Sequence, residues 1–316
     1  MPRHYFNPDS PRVSILLIRE DFDSSSLGIL HSIQYNSYAN YEVVVVNIGA
    51  DEKDVMDLYK VFPNIKQVSL KINVEKEYAL SEGLKMAKGE FLLFLNGIEE
   101  INENFIELLV NTTKKNRRIA IVSPQVRSFH HKELNLFSAP EQPKGMGNYL
   151  DFSNYNAVQT KTEDETPRYS HFACNDAFLV SMEFLHQIED KEKGSFFFLD
   201  EIDIAETVFE NRYKIYFEPQ AVAYLDDDKD EENSKSIYYK TRNRLASIRK
   251  HKQGFMLIGM ILLFCISSIP RHTFQHLLHL RLDHMFAFYR GVVWNVVHSV
   301  KAGGFFSYFK WKSPIN

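Results

Sequence analysis

Three groups of polar residues in this chain have the types and spacing to do chemistry. The first is Asp200-Glu201-Ile202-Asp203, three carboxylates within four residues, directly after the apolar run Phe196-Phe197-Phe198-Leu199. A carboxylate fixed at a strand end can take the proton from a hydroxyl nucleophile, the work of a general base. The same pattern fits a helix N-terminus, where acidic residues are favoured by the exposed amide dipoles. On the residues alone the two readings weigh equally. The second group is Asn96-Gly97-Ile98-Glu99-Glu100, which closes the apolar run Phe91-Leu92-Leu93-Phe94-Leu95. A buried strand that stops at a polar turn is a common ligand site in an α/β protein. A metal–phosphate group there would want a carboxylate directly after the strand, and here the carboxylates come late. Glu99 is therefore the candidate metal ligand, against the alternative that Glu99 and Glu100 open a helix at Ile101. The third is the basic run Arg242, Arg244, Arg249, Lys250, His251 and Lys252 ahead of an apolar stretch, able to meet anionic headgroups.

The elements that must position these groups alternate. Val13 to Ile18 reads as a buried strand and Ser26 to Tyr35 as a helix. Tyr41 to Val46 reads as a strand, because four valines stand in a row. Asp54 to Phe62 is helical, Val68 to Leu70 a short strand, Glu77 to Lys88 helical, and 91–95 a strand. Strands separated by helices of about ten residues imply a mostly parallel sheet flanked by helices, with its crevice beyond the C-terminal strand ends. The polar turns after Ile18, Asn47 and Asn96 then share one edge. Residues 128–170, rich in Ser, His, Pro and Asn, read as a long loop or a partly ordered insertion. A helix is expected from about Asp200 to Asn211, a strand from Tyr213 to Phe217 ending at Pro219, and an acidic loop at 226–232.

The composition is that of a globular protein: 316 residues, 44% hydrophobic and 25% charged. A net charge of −4 gives no reason to expect nucleic acid as a partner. The two cysteines, Cys174 and Cys265, stand far apart and outside metal spacing, so a disulfide framework is not expected. Met1 to Ser10 is polar and does not resemble a signal peptide.

Phe255 to Ile269 is fifteen residues without a charge, whereas a spanning helix needs about 20. Pro270 is expected to close it. Beyond it, Phe274, Leu277, Leu278, Leu282, Met285, Phe286, Tyr289, Val293, Val296 and Val297 fall on one face of a long amphipathic helix. The opposite face carries His276, Arg290, Asn295 and His298. This pattern predicts an interfacial, peripheral or monotopic membrane anchor at 251–316, its basic face meeting headgroups; a helical cap on the domain, a true span and a short re-entrant hairpin stay open. His272, His276, His279 and His284 are spread around the helix without carboxylate partners and do not suggest a metal site.

The order of these pieces resembles glycosyltransferase family 2, of the glycosyltransferase type A fold, over about residues 11–250. The resemblance rests on the strand at 13–18, on Tyr41 to Ala50, on the helix–Gly-Glu–strand segment 79–96, on the acidic motif at 200–203, and on 238–245. It implies a nucleotide-diphospho-sugar transferase fold with a tail at 1–10, a catalytic domain at 11–250 and the helical region at 251–316. It implies transfer of a sugar, hexosyl or deoxyhexosyl, from a nucleotide-sugar donor to a glycan or lipid-linked acceptor, with inversion, in surface polysaccharide assembly. Carried over by position, Glu201 stands at the base, flanked by Asp200 and Asp203. Asp21, Asn47, Asn73, Ser81 and Asn96 fall at nucleotide-binding positions, and Arg242 and Asn243 at the diphosphate or acceptor.

Several positions depart from the pattern. Asn47 replaces an Asp and keeps only an acceptor oxygen. The turn that in relatives holds Mg2+ or Mn2+ is Asn96-Gly97-Ile98, and an Ile side chain coordinates nothing. Thr207 stands where an Arg is expected and Leu225 where a His is expected. The missing carboxylate turn favours a metal-independent site, with charge compensation for instance by Arg19, Arg242 or Arg244, over one that holds Mg2+ or Mn2+. Two readings remain: a transferase on the cytoplasmic face of the cell membrane, or a catalytically silent relative that binds a partner glycosyltransferase or a glycan.

Overall fold

The computed structural model describes residues 10–19, 25–71, 74, 76–137, 166–192, 200–226 and 233–297. The strand–helix alternation read from the sequence is present: β1 (Val13–Arg19), α1 (Ser25–Gln34), β2 (Tyr41–Ile48), α2 (Glu52–Val61), β3 (Lys66–Leu70), α3 (Lys76–Leu84) and β4 (Phe91–Leu95). Two further strands, β5 (Ile98–Ile101) and β6 (Ile119–Ser128), flank α4 (Phe105–Thr113). Then follow β7 (Asn135–Phe137), β8 (Arg168–Ser170), β9 (Ala177–Ser181), α5 (Met182–Glu192), α6 (Glu201–Glu210) and β10 (Lys214–Leu225). The C-terminal region is helical: α7 (Ser234–His251), α8 (Gly254–Leu263), a π-helical turn (Phe264–Ser268), α9 (Ile269–Leu278) and α10 (Leu282–Val297).

The sheet runs β3-β2-β1-β4-β9-β6-β10-β5, with β7 on β6 and β8 on β10. The four strands β1 to β4 pair in parallel, as crossover helices require. From β9 onward the sheet is mixed, since β9 is antiparallel to both β4 and β6. Apolar residues from both faces of the sheet form two core clusters. One packs under α1, α2 and α4, the other under α3, α5 and α6. Parallel strands buried on both faces explain the unbroken Val43 to Val46 run.

Four expectations need correction. Glu99 and Glu100 do not open a helix: they lie in β5, and α4 starts after Asn104. Residues 128–170 are not one long loop, because β7 and β8 add to the sheet; the rest of the segment lies outside the described residues, as do Phe196 to Leu199 and 227–232. Pro219 does not end its strand. It falls where the β10–β6 register shifts between Glu218 and Val222, a bulge that asks no ladder N–H of a proline. Pro270 does not close its helix either. The π-helical turn Phe264–Ser268 precedes it and includes the residue four back, whose carbonyl an α-helical proline ring would strike.

The helical region packs on the domain through α7. Ile237, Leu245 and Ile248 of α7 meet Met260 and Phe264 of the α8 segment and Ala287 and Phe288 of α10. Gly291 allows the close approach: a Cβ there would lie 2.8 Å from Thr241 Cβ. The expected single helix from 274 to 297 breaks at His279–Arg281, where Leu280 takes a φ of 53°. Its polar side is divided: Arg290 is exposed, as expected, His298 lies outside the described residues, and the other two turn inward. His276 and Asn295 are buried, and Asn295 Nδ2 donates to the Arg242 carbonyl at 3.0 Å. The apolar residues Phe255, Ile258, Ile266, Phe274, Leu278, Phe286 and Val296 face outward, Phe255 at 94% exposure.

Candidate active site

Helix α6 carries two carboxylates, Glu201 and Asp203, in its first turn. Asp200 is the N-cap, its Oδ1 accepting the Asp203 amide at 2.9 Å, so the helix-capping reading is correct. It is not the whole account, because Asp200 and Glu201 also receive an arginine from α7. Arg244 Nε donates to Asp200 Oδ2 at 2.8 Å and its Nη2 donates to Glu201 Oε1. Ser247, one turn on, donates to Asp200 Oδ1 at 2.8 Å. Burial pushes the Glu201 carboxyl up from its ordinary value; Arg244 opposes this, and the charges of Asp200 and Asp176 add to it. A carboxylate whose proton affinity is raised towards neutrality is suited to general-base work.

Asp203 does not join that pair. It has 0% exposure and accepts from Lys250 Nζ at 3.0 Å and His251 Nε2 at 2.6 Å, with Thr207 Oγ1 at 3.4 Å. The i, i+3 spacing that suggested one acidic motif instead turns Asp203 into the α6–α7 seam. There His251 Nδ1 meets Glu210 at 3.0 Å and Lys252 binds Glu206. Burial disfavours the charged His251 ring, but the hydrogen bond and charge of Asp203 outweigh it and raise its proton affinity.

The strand ends supply the crevice edge. Arg19 and Asn47 lie side by side in the β1–β2 register and both are buried. Asn47 Nδ2 donates to Gln67 Oε1 at 2.8 Å, while Gln67 Nε2 donates to the Val55 carbonyl at 3.2 Å. This relay fixes the amide orientation and leaves Asn47 Oδ1 without a hydrogen-bond partner. Ser81 lies on the buried side of α3 and donates to the Tyr78 carbonyl at 2.8 Å. Asp21 and Asn73 lie outside the described residues.

At the β4 turn, Asn96 pairs across to Asp176. The Asn96 amide donates to the Asp176 carbonyl at 2.8 Å and Nδ2 to Asp176 Oδ1 at 3.0 Å. Asp176, which the sequence reading missed, is half-buried directly before β9. Beneath, the buried Cys174 thiol is pushed up to about 12 by burial first, then by Asp176. The one sequence signal for Asp176 is its place directly before the apolar run Ala177 to Val180.

The turn does not fit a divalent ion. Ile98 is buried and paired to Leu225 in the β5–β10 ladder. Glu100 binds Lys132 at 2.8 Å. Glu99 turns to α1, where a Cβ at Gly28 would lie 3.9 Å from its Oε2. Among the described residues, no group of three His, Cys, Asp or Glu side chains is arranged to hold a metal.

Arg242 makes aromatic contacts. Its guanidinium lies over the rings of Tyr239 at 4.7 Å and Trp294 at 5.3 Å, and its Nε donates to Asn243 Oδ1 at 2.9 Å. The pair tied to it by sequence serves the α7–α10 contact, and Arg244, two residues on, reaches the carboxylates.

Comparison with known proteins agrees with this fold. The chain is 26% identical over 120 residues to a poly-beta-1,6-N-acetyl-D-glucosamine synthase of Staphylococcus epidermidis, a match covering 37% of this chain and 29% of the synthase. The chain thus spans well under half the length of that relative. Among solved structures, GalNAc-T7 with UDP, GalNAc and Mn2+ superposes with a TM-score of 0.54 at 15% identity, over 78% of this chain and 49% of that one. The mannosyltransferase PcManGT of Pyrobaculum calidifontis, in complex with GDP-Man and Mn2+, gives 0.51 at 13% identity, over 90% of this chain and 73% of that one. S. aureus TarS 1–349 gives 0.51 at 12%, over 84% and 73%. These likenesses carry the fold. The model of the family described as glycosyl transferase family 2 matches residues 27–188, and with just over half the chain so covered, this protein belongs to glycosyl transferase family 2.

Proposed function

We propose that this protein transfers a sugar from a nucleotide-sugar donor to a hydroxyl of a glycan or lipid-linked acceptor, in surface polysaccharide assembly at a membrane. The carrying observation is Glu201: a largely buried carboxylate of raised proton affinity at the start of α6, held by Arg244 and backed by Asp200. Glu201 takes the acceptor proton, and direct displacement inverts the anomeric carbon. The donor diphosphate is compensated by Arg244, whose fork suits phosphate oxygens, so that no divalent ion at the Ile98 turn is required. Asn47, held by Gln67, offers an acceptor to an imide N–H of the base. The synthase likeness supports a polysaccharide setting, and the sugar donors in GalNAc-T7 and PcManGT support the donor class.

The outward apolar face of α8 to α10 supports the membrane setting. The helical stretch Gly254–Leu278 is 25 residues long and holds an 18-residue window of mean hydropathy 1.8, so it is long and apolar enough to cross a membrane. With α10 packed on α7 and its own apolar residues also outward, the region lies along the interface rather than through it. The headgroup contacts come from Arg271, His279 and Arg281 at its exposed bends, since the histidine and asparagine of the expected polar face are turned inward. A second reading, a silent relative that binds a glycan or partner enzyme, is favoured by the burial of Ile98 and of Asn47.

The deciding experiment incubates the full-length protein in vesicles of anionic and zwitterionic phospholipid with a panel of UDP-, GDP- and dTDP-sugars, following nucleotide release and product by mass spectrometry. Release of one nucleoside diphosphate above the Glu201→Gln control supports the transferase. Donor binding without release supports the silent relative.

A further inference from the structure

The C-terminal ends of β4, β6 and β10 lie on one edge of the sheet, because β10 is parallel to β6 and β9 runs antiparallel to both β4 and β6. A ligand crevice in an open α/β sheet lies beyond such ends. There the Asn96-Gly97 turn meets the end of β10. The Asp226 amide donates to the Gly97 carbonyl at 3.3 Å, and a Cβ on Gly97 would lie 3.1 Å from Leu225 Cδ1. The β6–β7 hairpin closes on the same spot. The Phe129 amide donates to the Leu225 carbonyl at 2.8 Å, and the next residue, His130, sets its Nε2 3.1 Å from Asp226 Oδ1. A histidine and an aspartate thus stand against the turn that does not fit a divalent ion.

The hairpin is built to hold this position. The Ser128 amide donates to the Leu134 carbonyl at 3.0 Å, and Ser128 Oγ accepts the His131 amide at 2.9 Å. Lys132 lies over the Tyr224 ring at 4.6 Å and binds Glu100 at 2.8 Å, which pins the loop to β10 and β5. The His130 side chain is 41% exposed, against 10% for Asp226. So exposed an ion pair contributes little to stability. An imidazolium carries a positive charge and two N–H donors. One donor serves Asp226, which fixes the direction of the ring; the charge and the second donor suit a phosphate oxygen. We propose that His130, oriented by Asp226, binds the donor diphosphate at the Asn96-Gly97 turn, so that a side chain brings the positive charge a divalent ion would bring. This assignment rests on the transferase reading and deepens it: His130 meets the diphosphate at the turn, and Arg244 meets it at the start of α6. The recognised group is the diphosphate itself, whatever the base or the sugar.

The test is calorimetry on the full-length protein in EDTA, with inorganic pyrophosphate, UDP and GDP as probes and with uridine and guanosine, which lack phosphate, as controls. His130→Ala should weaken pyrophosphate and nucleoside diphosphate binding about tenfold or more, the scale of a lost charge-assisted hydrogen bond. Nucleoside affinity should stay unchanged. His130→Lys, which returns a cation, should recover part of the loss. His131→Ala, at the next and likewise exposed residue of the hairpin, should change nothing. An equal loss in His131→Ala would trace the effect to the fold of the hairpin and overturn the proposal. Unchanged pyrophosphate affinity in His130→Ala, or no pyrophosphate binding by the wild type, would overturn it too, even where the protein transfers sugar. Diphosphate binding through His130 in a protein that turns over no donor keeps the site and sinks the transferase reading instead.

Discussion

Arg244 closes its guanidinium on Glu201 and Asp200, the carboxylates at the start of α6, and on the proposed reading it is also the cation that meets the donor diphosphate. The donor must therefore compete with Glu201 and Asp200 for this fork. Arg244→Gln should weaken nucleotide-sugar binding about tenfold or more, the scale of a lost charge-assisted hydrogen bond. Calorimetry on the variant checks this, and unchanged donor affinity would move the diphosphate elsewhere.

The buried Ile98 predicts indifference to divalent ions. Donor affinity should be the same in EDTA and in Mg2+ or Mn2+. Ile98→Asp should lower the melting temperature, because it puts a charge into the β5–β10 ladder, and should add no turnover. Strong manganese-dependent transfer by the unaltered protein would show that a ligand set has been missed, with Glu99 the first residue to substitute.

His251 gives the α6–α7 seam a pH dependence. Its folded-state proton affinity is raised, so its contribution to stability is complete below about pH 6.5, the unfolded-state value, and is lost as pH rises through the folded-state value. Thermal melts from pH 6 to 9 should fall more steeply for the wild type than for His251→Gln. Parallel curves would remove the protonated ring from the seam.

The outward apolar face predicts membrane association that high salt reduces only in part, because burial of apolar surface is not screened. Phe255→Glu with Ile266→Glu should shift the protein to the soluble fraction and leave its fold intact, since both side chains are exposed. A doubly substituted protein that still floats with vesicles would place the anchor elsewhere.

Much of the fold was legible because it is local. Four valines in a row and the Ala79–Leu95 helix–strand unit announce parallel strands without knowledge of partners. Pro219 and Pro270 misled because a bulge and a π-helical turn, both set by tertiary context, absorb them. On the polar face of α9 and α10, Arg290 is outward but His276 and Asn295 are turned inward, since periodicity does not say which side meets protein. At the site, Glu201 and Asp200 were visible in their motif. Asp176 was not, because its meaning comes only from the antiparallel β4–β9 pairing, a contact between residues far apart in the chain. Arg242 and Arg244 could not be told apart by spacing, as two residues on a helix point to different neighbours.

The central claim is that Glu201 is the base of a sugar transfer, and Glu201→Gln tests it most directly. With the donor identified by the panel, turnover should fall by about 10²-fold or more, the scale of lost general-base catalysis, while donor affinity measured by calorimetry stays near wild type. A Glu201→Gln protein that transfers sugar at the wild-type rate would contradict the account.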